Sequence, residues 1–397
     1  MKSSWHTIPP GWHLDEESGC LMRDTIHHMG RRCRNWDYAG RGCYLVTLTL
    51  RDRSKPVLGS VYRAIDGAAH FEPSELGRRI EAHIRHIPEF APDMEVLGAQ
   101  LMPDHLHIVL RVRRHMVKPL GEHLRGFKIG CTKICRATNG ADDDCPRMDA
   151  RTQRAEDVRG QGLFADGFVD TILFDDVALA RALAYMADNP RRLLEKREHA
   201  EYFRVVRNLV VVSPIDGREL YFSSIGNQHL LAAPSLVQVQ CSRRDFAYAK
   251  APDGSLAKDA PPLSCSAAFE EKAADLLAET SHGAVLVSPC ISHGEKEIAR
   301  RALRAGARLV VLLNKGFPQL YKPPGLYFDR CVEGRLLMLA PAAWPYQPGA
   351  KAMTRQDACV LNRVAQLLCG SGAAEINYKG LRPRDLDRLV ENATQHP

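Results

Sequence analysis

A chain of 397 residues with 45% hydrophobic and 25% charged side chains has an ordinary globular composition and room for two or three domains, which excludes a single small module. No apolar run approaches the roughly 18 residues that cross a bilayer, and Lys2, Trp5, His6 and Pro9-Pro10 interrupt any secretory signal, so a cytoplasmic protein without a membrane partner is expected. Lys and Arg number 54 against 47 for Asp and Glu, a net charge of +7 that is compatible with a polyanionic partner without being diagnostic of one.

The first forty-one residues show no clear period and read as an extension. Cys20, Cys33 and Cys43 stand near His27 and His28, which would permit a zinc site, but twelve scattered cysteines without a CxxC pair read better as small reduced core residues. A compact pattern follows. Tyr44–Leu50 alternates as a strand, Pro73–His86 contains a helix, and Met94–Leu101 and His105–Val112 are strands joined by the turn Met102-Pro103-Asp104. Leu120–Arg136 reads as a basic helix and Ala141–Gly162 as an exposed loop. Gly167–Phe174 reads as a fourth strand, and a helix begins at Asp175-Asp176 and is expected to stop near Asn189, before Pro190. The order βαββαβα predicts an α+β fold of ferredoxin-like type, an antiparallel sheet with helices on one face.

A second compositional unit begins near Ser223. Leu236–Gln240 is a strand candidate, Ala247–Pro262 a loop, and Phe269–Thr280 a helix. Ala284–Ser288, Glu295–Ala305 and Leu309–Leu313 read as a tight βαβ unit of parallel, Rossmann-like type, followed from Pro345 by one or two helices. The expected division is therefore residues 1–41, 42–212, 213–345 and 346–397.

The sharpest chemical feature is His105-Leu106-His107. Strand alternation sends both imidazoles to one face, where two nitrogens can chelate a divalent ion. Tyr185 and Asn189, four apart on one helix, share a face. A phenol can be a nucleophile and an amide oxygen can complete a coordination shell. Singly, the histidine pair is equally well explained as two partly exposed histidines, and Tyr185 and Asn189 are better explained as a packing tyrosine and a polar helix cap. Arg111, Arg113, Arg114, Lys118, Arg125, Lys128, Lys133 and Arg136 are opposed only by Glu122, a run that suits either a solvated face or phosphate contacts.

Together, from about Tyr44 to Leu194, these pieces resemble the single-tyrosine HUH transposases and, within them, the REP-associated tyrosine transposases. The resemblance rests on YLVTLTL, MPDHLHIVL, Leu124-Arg125-Gly126-Phe127-Lys128, LFADGFVDTILF and LAYMADNP, in that order. It implies an HUH domain in which His105, His107 and Asn189 hold Mg²⁺ or Mn²⁺. Tyr185 would attack a scissile phosphate of single-stranded, hairpin-forming DNA, leaving a 5′-phosphotyrosine and a free 3′-hydroxyl. Lys128 and the basic cluster would contact phosphates and Phe127 would stack on a base, in a monomer or a homodimer. Two positions depart from the family: Phe164 stands where Trp is usual, and Arg191-Arg192 replaces more apolar residues. Tyr202 is a minor rival nucleophile.

Farther on, VQVQCSRR, Phe269–Thr280 and Val285–Leu313 resemble the Rossmann-like domain of the DNA-processing DprA group. Ser292 and Glu295 have capping-box spacing, so amides near Ser292, Gly294 and Glu295 form a candidate phosphate cradle. Neither GxGxxG nor GxxxxGK[ST] is present, and a plain structural turn explains the spacing equally well. Three function classes follow: a transposase, a DNA-binding regulator that does not need Tyr185, and a nucleotide-sensing module.

Overall fold

The computed structural model describes residues 12–14, 21–23, 36–138, 162–241, 246–247, 264–319, 321–347, 349, 351–370 and 382–395. Cys20, His27, His28 and Cys33, with nearly all of the 141–162 and 247–262 loops, lie outside the described residues. The chain divides into two compact units, Met1–Glu195 and Lys196–Pro397.

In the first unit, β1 (Gly42–Thr49) is followed by a hairpin of β2 (Gly59–Arg63) and β3 (Ala69–Pro73), then α1 (Glu75–Arg85). Strands β4 (Met94–Met102) and β5 (His105–Val112) precede α2 (Leu120–Thr138), β6 (Val169–Leu173) and α3 (Asp176–Glu198). The sheet order is β4-β5-β1-β6 with antiparallel neighbours throughout. Leu106, Ile108 and Leu110 of β5 join Tyr44, Val46 and Leu48 of β1 on one face. There they pack against Ile80 and Ile84 of α1 and Leu124, Phe127 and Cys131 of α2.

Helices on one face alone were expected, and the structure corrects this. Val109 and Leu173 point the other way and pack on Ala178, Ala182 and Met186 of α3. The reason is legible in β5, where all five residues from Leu106 to Leu110 are buried, the mark of a strand covered on both faces rather than one. Nor does α3 stop at Asn189. It continues through a buried Pro190 to Glu198. The proline removes the donor that would serve the Met186 carbonyl, but the extra turns place Leu194 in a cluster with Val61 and Met102.

In the second unit, β7 (Val206–Val212) and β8 (Glu219–Gly226) form a hairpin, followed by β9 (Leu236–Gln238) and α4 (Ala267–Ser281). Then β10 (Val285–Ser288), α5 (His293–Ala305) and β11 (Leu309–Leu312) precede α6 (Gly325–Val332) and β12 (Leu336–Pro341). The chain closes on α7 (Arg355–Cys369) and α8 (Pro383–Thr394). The sheet order is β9-β10-β11-β12-β8-β7; the first four strands are parallel and the last two are added antiparallel. Helices α4, α5 and α6 cover one face, α7 and α8 the other. Two boundaries therefore move. Strand β7 belongs to the second sheet and not to a 42–212 region, and α7 and α8 are one layer of this unit rather than a separate tail. Among the described residues no helix is long and apolar enough to cross a membrane.

Helix α1 is tied to the loop that precedes it in space. Ser74 caps it by accepting from the Gly77 N–H at 3.0 Å, and its own hydroxyl donates to the Val57 carbonyl at 2.7 Å. A Cβ on Gly77 would stand 2.2 Å from the Leu58 carbonyl oxygen, a backbone atom that cannot turn aside. Helix propensity alone would make Gly77→Ala stabilising by up to about 1 kcal/mol. The clash reverses the sign, and a loss of about 1–3 kcal/mol is expected in denaturant unfolding.

Candidate active site

The register of the sheet assembles the centre of the site. His107 of β5 lies opposite Thr47 of β1, and His105 opposite Thr49, so these four side chains share the face that α3 covers. The two imidazole rings meet edge to face with centroids 4.8 Å apart. His107 is 5% exposed, buried for a histidine. From α3 the ring of Tyr185 stands edge-on to His107 at 5.7 Å. At 40% exposure it is open to solvent, whereas Asn189, one turn on, is 4% exposed. The Asn189 side-chain amide nitrogen is buried without a hydrogen-bond partner. A buried polar atom left so is costly, by about 1–3 kcal/mol.

Each histidine is held at Nδ1. His105 Nδ1 lies 2.6 Å from Asp104 Oδ1, and His107 Nδ1 lies 2.8 Å from the Thr47 hydroxyl. Both contacts turn Nε2 away from the holding group, toward the side from which an ion would be bound. Asp104 is in turn gripped by Arg53, whose Nε donates to Oδ2 at 2.7 Å and whose terminal nitrogen stands 2.6 Å from the same oxygen. Burial pushes the Asp104 carboxyl upward, but the hydrogen bonds from His105 and Arg53 outweigh it and hold the group well below the usual carboxylate range. The Asp104 carbonyl accepts from Leu50 N–H at 2.9 Å, which fixes the β4–β5 turn against the end of β1.

Helix α3 reaches this face across a β-bulge. The β4–β5 register shifts between Val96 and Gly98. A Cβ on Gly98 would lie 2.7 Å from a methyl of Leu183, two residues before Tyr185. The absent side chain lets the helix close on the sheet.

The structure therefore brings His105, His107 and Tyr185 together and sets Asn189 on the same helix. The basic cluster lies elsewhere. Arg111 is six residues along β5 from His105, roughly 20 Å at strand rise. Arg111 and Arg113 pair with Glu95 at 3.8 and 2.8 Å, and Arg114 pairs with Asp93 at 3.0 Å. Lys118 faces Glu122 at 3.9 Å. Lys128 donates to the carbonyls of Ala165 and Gly167, fastening the segment that leads into β6. Arg125 and Lys133 are exposed on α2, the layer behind the sheet. Phe127 corrects the expectation of base stacking: it is 1% exposed, and His83 lies parallel to its ring at 5.0 Å. Tyr202 belongs to the second unit, where it stacks on His199.

The cradle expected at Ser292, Gly294 and Glu295 is closed by the protein itself. Ser292 Oγ accepts from the Glu295 N–H at 3.2 Å. The Glu295 carboxylate accepts from Ile291 N–H at 2.7 Å and Ser292 N–H at 3.1 Å. Burial raises the Glu295 carboxyl, and these backbone donors partly offset it. A Cβ on Gly294 would stand 2.7 Å from that of Cys241, so the glycine serves close packing rather than approach to a phosphate.

Thr47, Asp104 and Arg53 were not anticipated. Thr47 could have been found by aligning the alternation of β1 with that of β5, and Asp104 from its place beside His105. Arg53 carries no sequence signal.

No family model and no curated protein matches this chain. Among solved structures, it is similar to a REP-associated tyrosine transposase bound to a REP hairpin. The identity is 14% and the TM-score 0.28, over 41% of this chain and 73% of that one.

Because Phe127 is core, Phe127→Ala should lower stability by about 3–5 kcal/mol in denaturant unfolding. Binding of an oligonucleotide per folded molecule should not change, whereas a base-stacking role would show the reverse pattern.

Proposed function

We propose that the first unit cleaves and rejoins single-stranded DNA through a tyrosine nucleophile, as a divalent-metal-dependent transposase or nickase of HUH type. The observation that carries this reading is the set of two sheet-borne imidazoles, each held at Nδ1, with an accessible phenol at 5.7 Å from one of them. The antiparallel order β4-β5-β1-β6 supports a ferredoxin-like framework for it. The four parallel strands of the second unit support a Rossmann-like accessory domain.

The donor set suits the metal. Two neutral imidazoles and an amide oxygen are ligands that Mg²⁺ or Mn²⁺ accepts alongside phosphate and water oxygens. The unpartnered atom of Asn189 is its Nδ2, a donor that cannot ligate a cation but can meet a phosphate or water oxygen beside one. His105, His107 and Asn189 would hold the ion, which when bound neutralises charge on a scissile phosphate.

Tyr185 does the bond-making. Its oxygen attacks phosphorus in line and loses its proton; the departing 3′-oxygen takes up a proton, and the 5′-phosphate remains as a tyrosine ester. Attack by another 3′-hydroxyl reverses the sequence, so the phosphoester energy is retained. The burial of His107 limits water on that side of the site. Arg125 and Lys133 would meet phosphates of a strand passing behind the sheet, and a hairpin-forming single strand is the expected partner.

Incubating the protein and its Tyr185→Phe variant with labelled single-stranded hairpins, in Mn²⁺, Mg²⁺ or EDTA, tests this on a denaturing gel. The expected result is a covalent protein–DNA band that needs metal and is reduced at least about 10³-fold in the variant, since the proposed covalent step runs through the Tyr185 phenol. Binding without any adduct across many oligonucleotides would overturn the reading in favour of a DNA-binding regulator.

A further inference from the structure

We propose that Asp104, itself fixed by Arg53, is a positioning residue that sets the tautomer of His105. The consequence for metal binding rests on the function proposed above; the tautomer does not.

A carboxylate has acceptors only, so a 2.6 Å contact with His105 Nδ1 requires the hydrogen to sit on Nδ1. The neutral ring then carries its lone pair at Nε2, the nitrogen turned away from Asp104. The hydroxyl of Thr47 imposes no such choice on His107, because it can donate or accept across the 2.8 Å contact. The two histidines are therefore held by different kinds of group, and only His105 has its protonation pattern dictated by its neighbour.

Arg53 makes the arrangement directional. Its two nitrogens at 2.7 and 2.6 Å occupy Asp104 Oδ2, and a guanidinium can only donate. In Asp104→Asn the amide must turn its oxygen to Arg53 and its NH₂ to His105. The amide now donates to Nδ1, so the ring hydrogen moves to Nε2 and the lone pair there is lost. An otherwise isosteric change thus reverses the polarity of one hydrogen bond. Removing Arg53 as well, in Arg53→Leu/Asp104→Asn, frees the amide to rotate its oxygen back toward His105. The second substitution should repair the first.

The full chain, metal-free and labelled with ¹⁵N-histidine, gives a direct reading. Two-bond ¹⁵N–¹H correlation, at a pH where the imidazoles are neutral, distinguishes the tautomers. His105→Gln assigns the signals, and thermal melting shows that each variant is folded. The wild type should show His105 as the Nδ1–H form, Asp104→Asn as the Nε2–H form, and the double variant a return of Nδ1–H. Mn²⁺ affinity should fall about 10–100-fold in Asp104→Asn and recover in part in the double variant. An Nε2–H signal in the wild type, or an unchanged tautomer in a folded Asp104→Asn, would overturn the proposal. If the tautomers follow this pattern while the wild type binds Mn²⁺ no better than His105→Gln, the positioning role stands and the metal-dependent reading of the site fails.

Discussion

Strand β5 is hydrogen-bonded on both edges, to β4 and β1, and covered on both faces, and the site exists because of that double confinement. With no edge free to slip, the pleat decides irrevocably which side each residue takes. Leu106, Ile108 and Leu110 go to the α1–α2 core and His105, His107 and Val109 to α3. A one-residue slip would drive two imidazoles into the apolar α1–α2 layer and take three aliphatic side chains out of it, at a cost of several kcal/mol from unpaired polar groups and lost packing. The energy that holds the core thus also holds the histidines, and it does so without any contact made for catalysis.

Orientation comes from a different source. Packing places a ring on a face but leaves its flip and its tautomer open. These are settled by groups borrowed from the neighbouring strand and turn: Thr47 by cross-strand register, Asp104 by the turn that Leu50 N–H clamps, and Arg53 from the loop after β1. Tyr185 is held by the opposite logic. Its helix is fastened by Ala182 and Met186 on either side, and the bulge at Gly98 lets that helix settle, while the phenol itself stays at the surface. The proposed role would need this combination, because a nucleophile that meets a polymeric substrate requires a rigid base and an open tip.

Most of the first unit could be read from period alone. His105–Val112 matches the observed strand, and Leu120 opens the second helix where its apolar spacing begins. What period could not show was α3 beyond Asn189, because proline is a local signal and the packing of Leu194 is not. The same blindness hid β7 and β8. Their alternation is ordinary, and only the hydrogen bonds of β8 to β12, with β7 paired on the other edge of β8, show that they extend the second sheet. For the site, the pair His105/His107 and the spacing of Tyr185 and Asn189 were visible as residues sharing a face. Nothing in the sequence placed those two faces opposite one another.

Charge proved a poorer guide than geometry, and the reason is general. Between Arg111 and Arg136 the charged residues are all basic but for Glu122, yet in space Arg111 and Arg113 are met by Glu95 and Arg114 by Asp93, which lie some eighteen residues earlier on or beside the neighbouring strand β4. A run of one sign along the chain says little when the neighbouring strand supplies the other. At the second unit the argument is the same with signs exchanged. The amides at the start of α5 look from the sequence like a seat for an anion, but the group seated there is the Glu295 side chain. Buried at 4% exposure, that carboxyl already accepts from two of the backbone donors a ligand would need. An external phosphate would have to displace it and leave a buried acid without partners.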